Sequence, residues 1–215
     1  MKIQLLCDNP KSWIVPYAKD LVAELRKLSH DTTLLFDNKL VERGDVLILL
    51  SCEKIFKELN LNTYNLVVHE SNLPAGKGWS PLTWQILEGK NEIPVTLFEA
   101  AEKVDSGAIY LQEFIKLEGH ELLQEIKHQQ WLVTKKLIIT FISKHSTIKA
   151  IEQKGEESFY PRRTNVDSKL DINKTLLDQF NLLRTVSNDS YPAYFEHLGH
   201  RYEIKIKKVE ELKNN

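Results

Sequence analysis

The 215-residue chain carries 29 basic and 30 acidic side chains, a formal net charge of -1, and 42% hydrophobic residues. That length suits one large domain, or one domain with a small appendage, and the apolar fraction is enough for a core. Nothing in the charge balance draws the chain to nucleic acid, and no run of about 18 apolar residues is present to cross a membrane.

Lys2 to Cys7 enters a strand directly, with no secretion signal before it, so a cytoplasmic location is expected. Asp8 to Ser12 reads as a turn with Ser12 as a helix N-cap, and it lacks the glycine pattern of a dinucleotide-binding loop. Trp13 to Leu28 is amphipathic, with Val15, Ala18, Leu21, Val22, Leu25 and Leu28 on one face. Asp31 to Phe36 is a second strand, and Asp45 to Leu50 is a third, with the near-continuous apolar run of a central parallel strand. A short helix is expected over Glu53 to Leu59 and a fourth strand over Asn65 to His69. After a turn around Pro74, Gly76 and Gly78 come a short helix, an apolar strand from Pro94 to Phe98, and a loop ending Val104-Asp105-Ser106-Gly107. Ala108 to Phe114 is a further strand, and Gly119 to Ser143 is a long helix bearing Leu123, Ile126, Trp131, Leu137, Ile138 and Phe141.

Strands alternating with helices in this way predict an α/β fold with a doubly wound, Rossmann-like parallel sheet over residues 1–150. Residues 152–173 are polar and turn-rich, and there the chain crosses into a small C-terminal α+β appendage, residues 151–215. Its expected elements are a helix over Lys174 to Ser187, a hairpin of Tyr191 to Phe195 and Arg201 to Lys207 around Gly199, and a charged tail, Glu210 to Asn215. The open edges of that hairpin are suited to pairing across a homodimer. Cys7 and Cys52 both lie at strand ends and read as buried free thiols. His197 and His200 flank a turn with no third ligand, so no metal is expected.

His69 and Asp105 end two apolar strands, which is where open α/β sheets place their chemistry. On spacing alone, a half-buried histidine and a turn aspartate are the plainer reading. The wording between them changes the balance. Val67-Val68-His69, Ser71-Asn72-Leu73-Pro74, Lys77-Gly78, Ser80-Pro81 to Leu87-Glu88-Gly89, Val95-Thr96 and Asp105-Ser106-Gly107 occur in an order and at gaps that resemble the formyltransferases that use 10-formyltetrahydrofolate. The resemblance implies their fold, with His69 donating to the oxyanion and Asp105 orienting His69 and relaying a proton. It places the folate pterin against Ala100 to Val104, Glu102 and Val104 included, and against Lys54-Ile55-Phe56. One departure is plain: the family's Asn, two residues before the His, is Val67 here. Loss of such an oxyanion donor costs roughly a hundredfold or more in rate. Asn72 is the nearest spare amide, and a turn Asn bonding its own backbone is an equally good reading of it.

For the acceptor amine, Tyr160-Pro161-Arg162-Arg163, Gln179 to Val186, Tyr191 to Phe195 and Trp79 resemble the branch acting on nucleotide-linked amino sugars. The branch acting on initiator tRNA carries a further barrel on the order of a hundred residues, a domain-sized unit, for which this chain is too short. Within the sugar branch the wording from Gly78 to Gly89 is most similar to enzymes of pseudaminic-acid-type pathways, which implies a UDP-linked 4-amino-4,6-dideoxy sugar of surface glycan synthesis, with TDP- or GDP-linked sugars as the near alternative. The residues expected at the substrate are Asn9, Trp13, Lys77, Gly78, Trp79 and Arg184, with Arg162 and Arg163 as further cations able to meet a diphosphate. A module that binds folate or nucleotide without catalysis, and a hydrolase that passes the formyl group to water, are the other functions open to the chain.

Overall fold

The computed structural model describes residues 1–209, and the charged tail expected over Glu210 to Asn215 lies outside them. A six-stranded sheet forms the centre, in the order β2-β1-β3-β4-β6-β7. Four strands run parallel: β1 (Lys2–Leu6), β2 (Asp31–Leu35), β3 (Gly44–Leu49) and β4 (Asn62–His69). The other two, β6 (Glu92–Glu99) and β7 (Ile109–Lys116), are antiparallel to their neighbours. Between β4 and β6 lie a two-residue strand β5 (Lys77–Gly78) and helix α2 (Pro81–Leu87). At seven residues α2 is only about 10 Å long. It cannot carry the chain back along a strand roughly 26 Å in length, so β6 enters from the end where β4 left and pairs antiparallel.

Helix α1 (Val15–Lys27) and helix α3 (Leu123–Lys144) pack on one face of the sheet. Ala18, Leu21 and Leu25 from α1 and Ile126, Trp131, Ile138 and Phe141 from α3 share one core with Ile3, Leu5, Ile48, Leu66 and Leu97. The opposite face carries a smaller cluster of Leu6, Val41, Leu47 and Phe56, supplied by loops instead of helices.

Three expectations are corrected. Ser12 does not cap α1, which starts at Val15 after Ile14 with a proline in its first turn, where the fixed φ of proline suits a helix. Glu53 to Glu58 is not helical, and only a single 3-10 turn forms over Leu59–Leu61; the main-chain N–H groups of Glu53 and Lys54 are held by the Asp8 carboxylate at 2.9 and 2.8 Å. The C-terminal helix is only α4 (Phe180–Thr185). Ahead of it the Asp178 carboxylate bonds Thr175, and Gln179 bonds the main chain of Asp171, a local competition that favours turns over helix.

The C-terminal residues are stitched into the sheet end. Strand β8 (Phe159–Tyr160) pairs parallel with β5, and Ile151 bridges Ile109. Strands β9 (Ala193–His197) and β10 (His200–Ile204) form the hairpin, with Leu198 and Gly199 both at positive φ, as a tight two-residue turn requires. Among the described residues no helix is long and apolar enough to cross a membrane.

Arg184 departs most from its expected role. Its side chain is 1% exposed, bonds Asn91 Oδ1 at 2.7 Å and Asn181 Oδ1 at 2.8 Å, and lies 3.6 Å from the Glu121 carboxylate. A guanidinium spent this way is a structural link between α4 and the sheet end, not a group open to a diphosphate. Removing one partner of a buried charge pair costs about 3–5 kcal/mol. Arg184→Ala is therefore expected to lower unfolding free energy by about that amount, measured by urea denaturation.

Candidate active site

Side chains alternate along β4, so Val67 and His69 share one face while Val68 and Glu70 share the other. Nε2 of His69 lies 2.9 Å from the Gly76 carbonyl oxygen. A carbonyl can only accept, so Nε2 carries a hydrogen and donates it. The Asp105 Oδ2 atom is 3.7 Å from the same nitrogen, and both side chains are nearly buried. That carboxylate accepts the Gly78 N–H at 2.9 Å.

Asp105 reaches His69 because the loop after β6 is folded back and tied down. Its own φ is 52°, in the left-handed region. Gln153 Nε2 donates to the carbonyls of Asp105 and Gly107 at 2.9 and 2.8 Å. A Cβ on Gly107 would lie 1.7 Å from the Glu99 carbonyl oxygen, so no other residue fits that close approach. Gly78 is held by a similar constraint, since it sits at φ +96° and a Cβ there would meet the Tyr160 oxygen at 2.6 Å.

The other residues singled out by sequence fall into distinct places. Asn72 is exposed, and its Oδ1 accepts from Gln112 at 2.9 Å, which leaves its NH2 group as a donor. Gln112 also bonds Thr96, and Thr96 pairs with His69 across the strands, so His69, Thr96 and Gln112 form one row on one face. Glu102 and Val104 are exposed on the loop that leads to Asp105, and Ile55 is exposed on the segment after β3. Phe56 is corrected: it is 4% exposed inside the cluster with Leu6 and Leu47, hence a core residue. Lys77 is corrected too, because it is 2% exposed and its ammonium is paired with Glu157 at 2.5 Å. Trp13 packs on the main core with its ring edge-on to Tyr17 and the Lys127 ammonium 5.5 Å above it. Asn9 donates to Glu53 Oε1 at 3.4 Å, and Trp79 is exposed next to Gly78.

Sequence reading missed Glu70 and Gln130. Glu70 Oε1 accepts from Gln130 of α3 at 2.7 Å, and the Glu70 carbonyl accepts from Gln85 of α2 at 2.6 Å. Burial pushes the Glu70 carboxyl up; the His69 charge and the Gln130 bond oppose this, and Asp105 adds to it. The only hint in the sequence is a charged residue at the end of an apolar strand. Burial has also pushed the Cys52 thiol up to about 12, so it is not a poised nucleophile.

Residues 37–142 match the family model described as formyl transferase. Those residues, just under half of the chain, are similar to the formyl transferase family. A methionyl-tRNA formyltransferase from Thermosipho melanesiensis is 30% identical over 166 residues, covering 76% of this chain and 53% of the relative. The chain thus spans about half the length of the curated relatives it matches. Among solved structures, a methionyl-tRNA formyltransferase from Clostridium thermocellum superposes with a TM-score of 0.81 at 17% identity, covering 98% of this chain and 94% of that one. A sugar N-formyltransferase from a Shewanella species gives 0.73 at 18%, covering 99% of each chain. HypX from Aquifex aeolicus in complex with tetrahydrofolic acid gives 0.76 at 19%, covering 100% of this chain and 39% of that one. At these identities the structural likeness establishes the formyl transferase fold, a mixed and mostly parallel sheet with a small C-terminal hairpin.

The raised carboxyl of Glu70 has a stability consequence with a definite sign. The folded chain keeps a proton that the unfolded chain has lost, so this contribution is full below the ordinary carboxylate range and is lost as pH rises through the folded value. Glu70→Gln keeps an acceptor for Gln130 and lacks that titration. Its melting temperature relative to wild type is expected to rise as pH climbs above the ordinary carboxylate range, about pH 4, checked by thermal denaturation over a series of pH values.

Proposed function

We propose that this chain is an N-formyltransferase that transfers the formyl group of 10-formyltetrahydrofolate to the amine of a nucleotide-linked 4-amino-4,6-dideoxy sugar, UDP-linked, in surface glycan synthesis. The observation that carries the reading is the buried pair of His69 and Asp105, 3.7 Å apart at the sheet end of a formyl transferase fold. Residues 1–150 would form the catalytic domain, with the helix-and-hairpin region from 151 onward completing it.

The loops fit a folate. Val104 is 51% exposed and Ile55 is 57% exposed, so two apolar side chains stand uncovered on the segments beside the site. 10-Formyltetrahydrofolate supplies an activated formyl carbon when bound there. His69 holds its Nε2 hydrogen against the weak acceptor of a main-chain carbonyl, from which it can turn to an oxygen that gains negative charge. A proton lost by the attacking amine has an acceptor in the Asp105 carboxylate, itself held in place by the Gly78 N–H. Val67 offers no hydrogen bond, and the free NH2 of Asn72 is the donor that we assign in its place.

A second reading takes Met-tRNA as the acceptor, and the curated relatives of that name favour it. The net charge of -1 counts against a large RNA, and this is why the sugar is placed first.

With 10-formyltetrahydrofolate and a panel of UDP-, TDP- and GDP-linked 4-amino sugars, mass spectrometry is expected to show one added formyl group on one sugar. His69→Ala and Asp105→Asn should each lower kcat/KM by about 10²- to 10⁴-fold with melting temperature retained. Near-wild-type rates in either variant would show the roles to be misassigned. No product from any sugar, followed by turnover once Val67→Asn adds an amide beside His69, would mark the natural chain as a binding module.

A further inference from the structure

Beside Asp105 the rim of the site carries a cation that no catalytic role absorbs. Gly78 donates to Asp105, and the next residue, Trp79, is 40% exposed with the Arg162 guanidinium 4.6 Å above its ring. The segment bearing Arg162 is fixed. Trp79 donates its N–H to the Tyr160 oxygen at 3.1 Å. Trp84 stacks on Tyr160 at 6.3 Å and donates Nε1–H to the Pro161 oxygen at 2.9 Å.

Arg162 is nevertheless weakly held at its charged end. It meets the Glu53 carboxylate at 3.7 Å, and the two side chains are 66% and 52% exposed. An exposed pair of this length contributes about 0–1 kcal/mol, whereas a guanidinium binds phosphate bidentately and more strongly. Glu53 in turn bonds Asn9, and its backbone is anchored by Asp8, so the carboxylate arrives from the loops following β1 and β3. The other cations singled out by sequence are committed. Lys77 and Arg184 are buried side chains paired with Glu157 and Glu121, and Arg163 is half-buried with a bond to the Asp167 carbonyl.

We propose that Arg162, laid on Trp79, is the group that receives the diphosphate of the acceptor, which displaces Glu53 from it. The proposal rests on the sugar-nucleotide reading of the same site. One stacked guanidinium beside one aromatic plane suits a compact diphosphate, whereas an RNA backbone is followed by many cations. Exchange of Glu53 for phosphate also couples acceptor binding to the segment around Ile55, where the folate is expected.

UDP is the probe, titrated into the full chain by calorimetry and by tryptophan fluorescence, with a tRNA acceptor minihelix as the second arm. Arg162→Ala is expected to weaken UDP binding by about 10- to 100-fold, and Arg162→Lys by less, because the charge stays and the fork is lost. Glu53→Gln, which removes the competing carboxylate, is expected to tighten UDP binding by about 2- to 5-fold. Melting temperature should be unchanged in all three, since both side chains are exposed. Equal UDP affinity in wild type and Arg162→Ala overturns the proposal, as does the absence of UDP binding by wild type, or a loss confined to the minihelix. A loss of UDP affinity in Arg162→Ala without formyl product on any sugar would leave the phosphate site standing and remove the reaction assigned to it.

Discussion

The carboxylate of Asp105 ties together three parts of the chain that are remote in sequence. It accepts the Gly78 N–H from the turn after β4, lies 3.7 Å from His69, and sits on a loop whose carbonyls are held by Gln153 of the C-terminal segment. The loop reaches that position only because Gly107 lets its backbone press on the Glu99 carbonyl. A single added methyl there would push the carboxylate away from the imidazole. The pairing of β5 with β8 draws the C-terminal segment onto the same turn, so the site is assembled from both ends of the fold.

Where charge is buried and where it is exposed separates architecture from recognition. Arg184 and Lys77 are buried and each lies against a carboxylate, Glu121 largely buried and Glu157 at the surface, and a charge removed from water is tolerated only with such partners. Both were expected at the substrate, but at 1% and 2% exposure neither is open to a phosphate. Arg162 has the opposite setting, with a rigid backbone, a stacked face and an ion pair weak enough to be exchanged. Glu70 is a third case. It lies behind His69 on the helix-covered face, where burial raises the carboxyl and the imidazole charge partly offsets that cost.

Much of the architecture was legible in the chain. The near-continuous apolar run of β3 and the amphipathic period of α1 are signals carried by neighbouring residues, and both elements stand where those signals place them. The helix expected over Glu53 to Leu59 is absent, and the segment is instead tied at its start to Asp8, a partner 45 and 46 residues away that no local pattern reveals. Phe56 failed for a related reason: an apolar residue beside a site reads the same in sequence whether it faces a ligand or a core.

By itself the sequence determined most of the element types, the family wording from His69 to Gly107, and the presence of an imidazole and a carboxylate at two strand ends. Period and local propensity act over a few residues, and motif order survives without coordinates. Only the tertiary structure decided that β6 turns back antiparallel, that Nε2 of His69 holds its hydrogen against Gly76, that Gln130 backs Glu70, and which of four cations stays open to a ligand. Those outcomes depend on burial and on partners brought together by folding, and no local pattern encodes either.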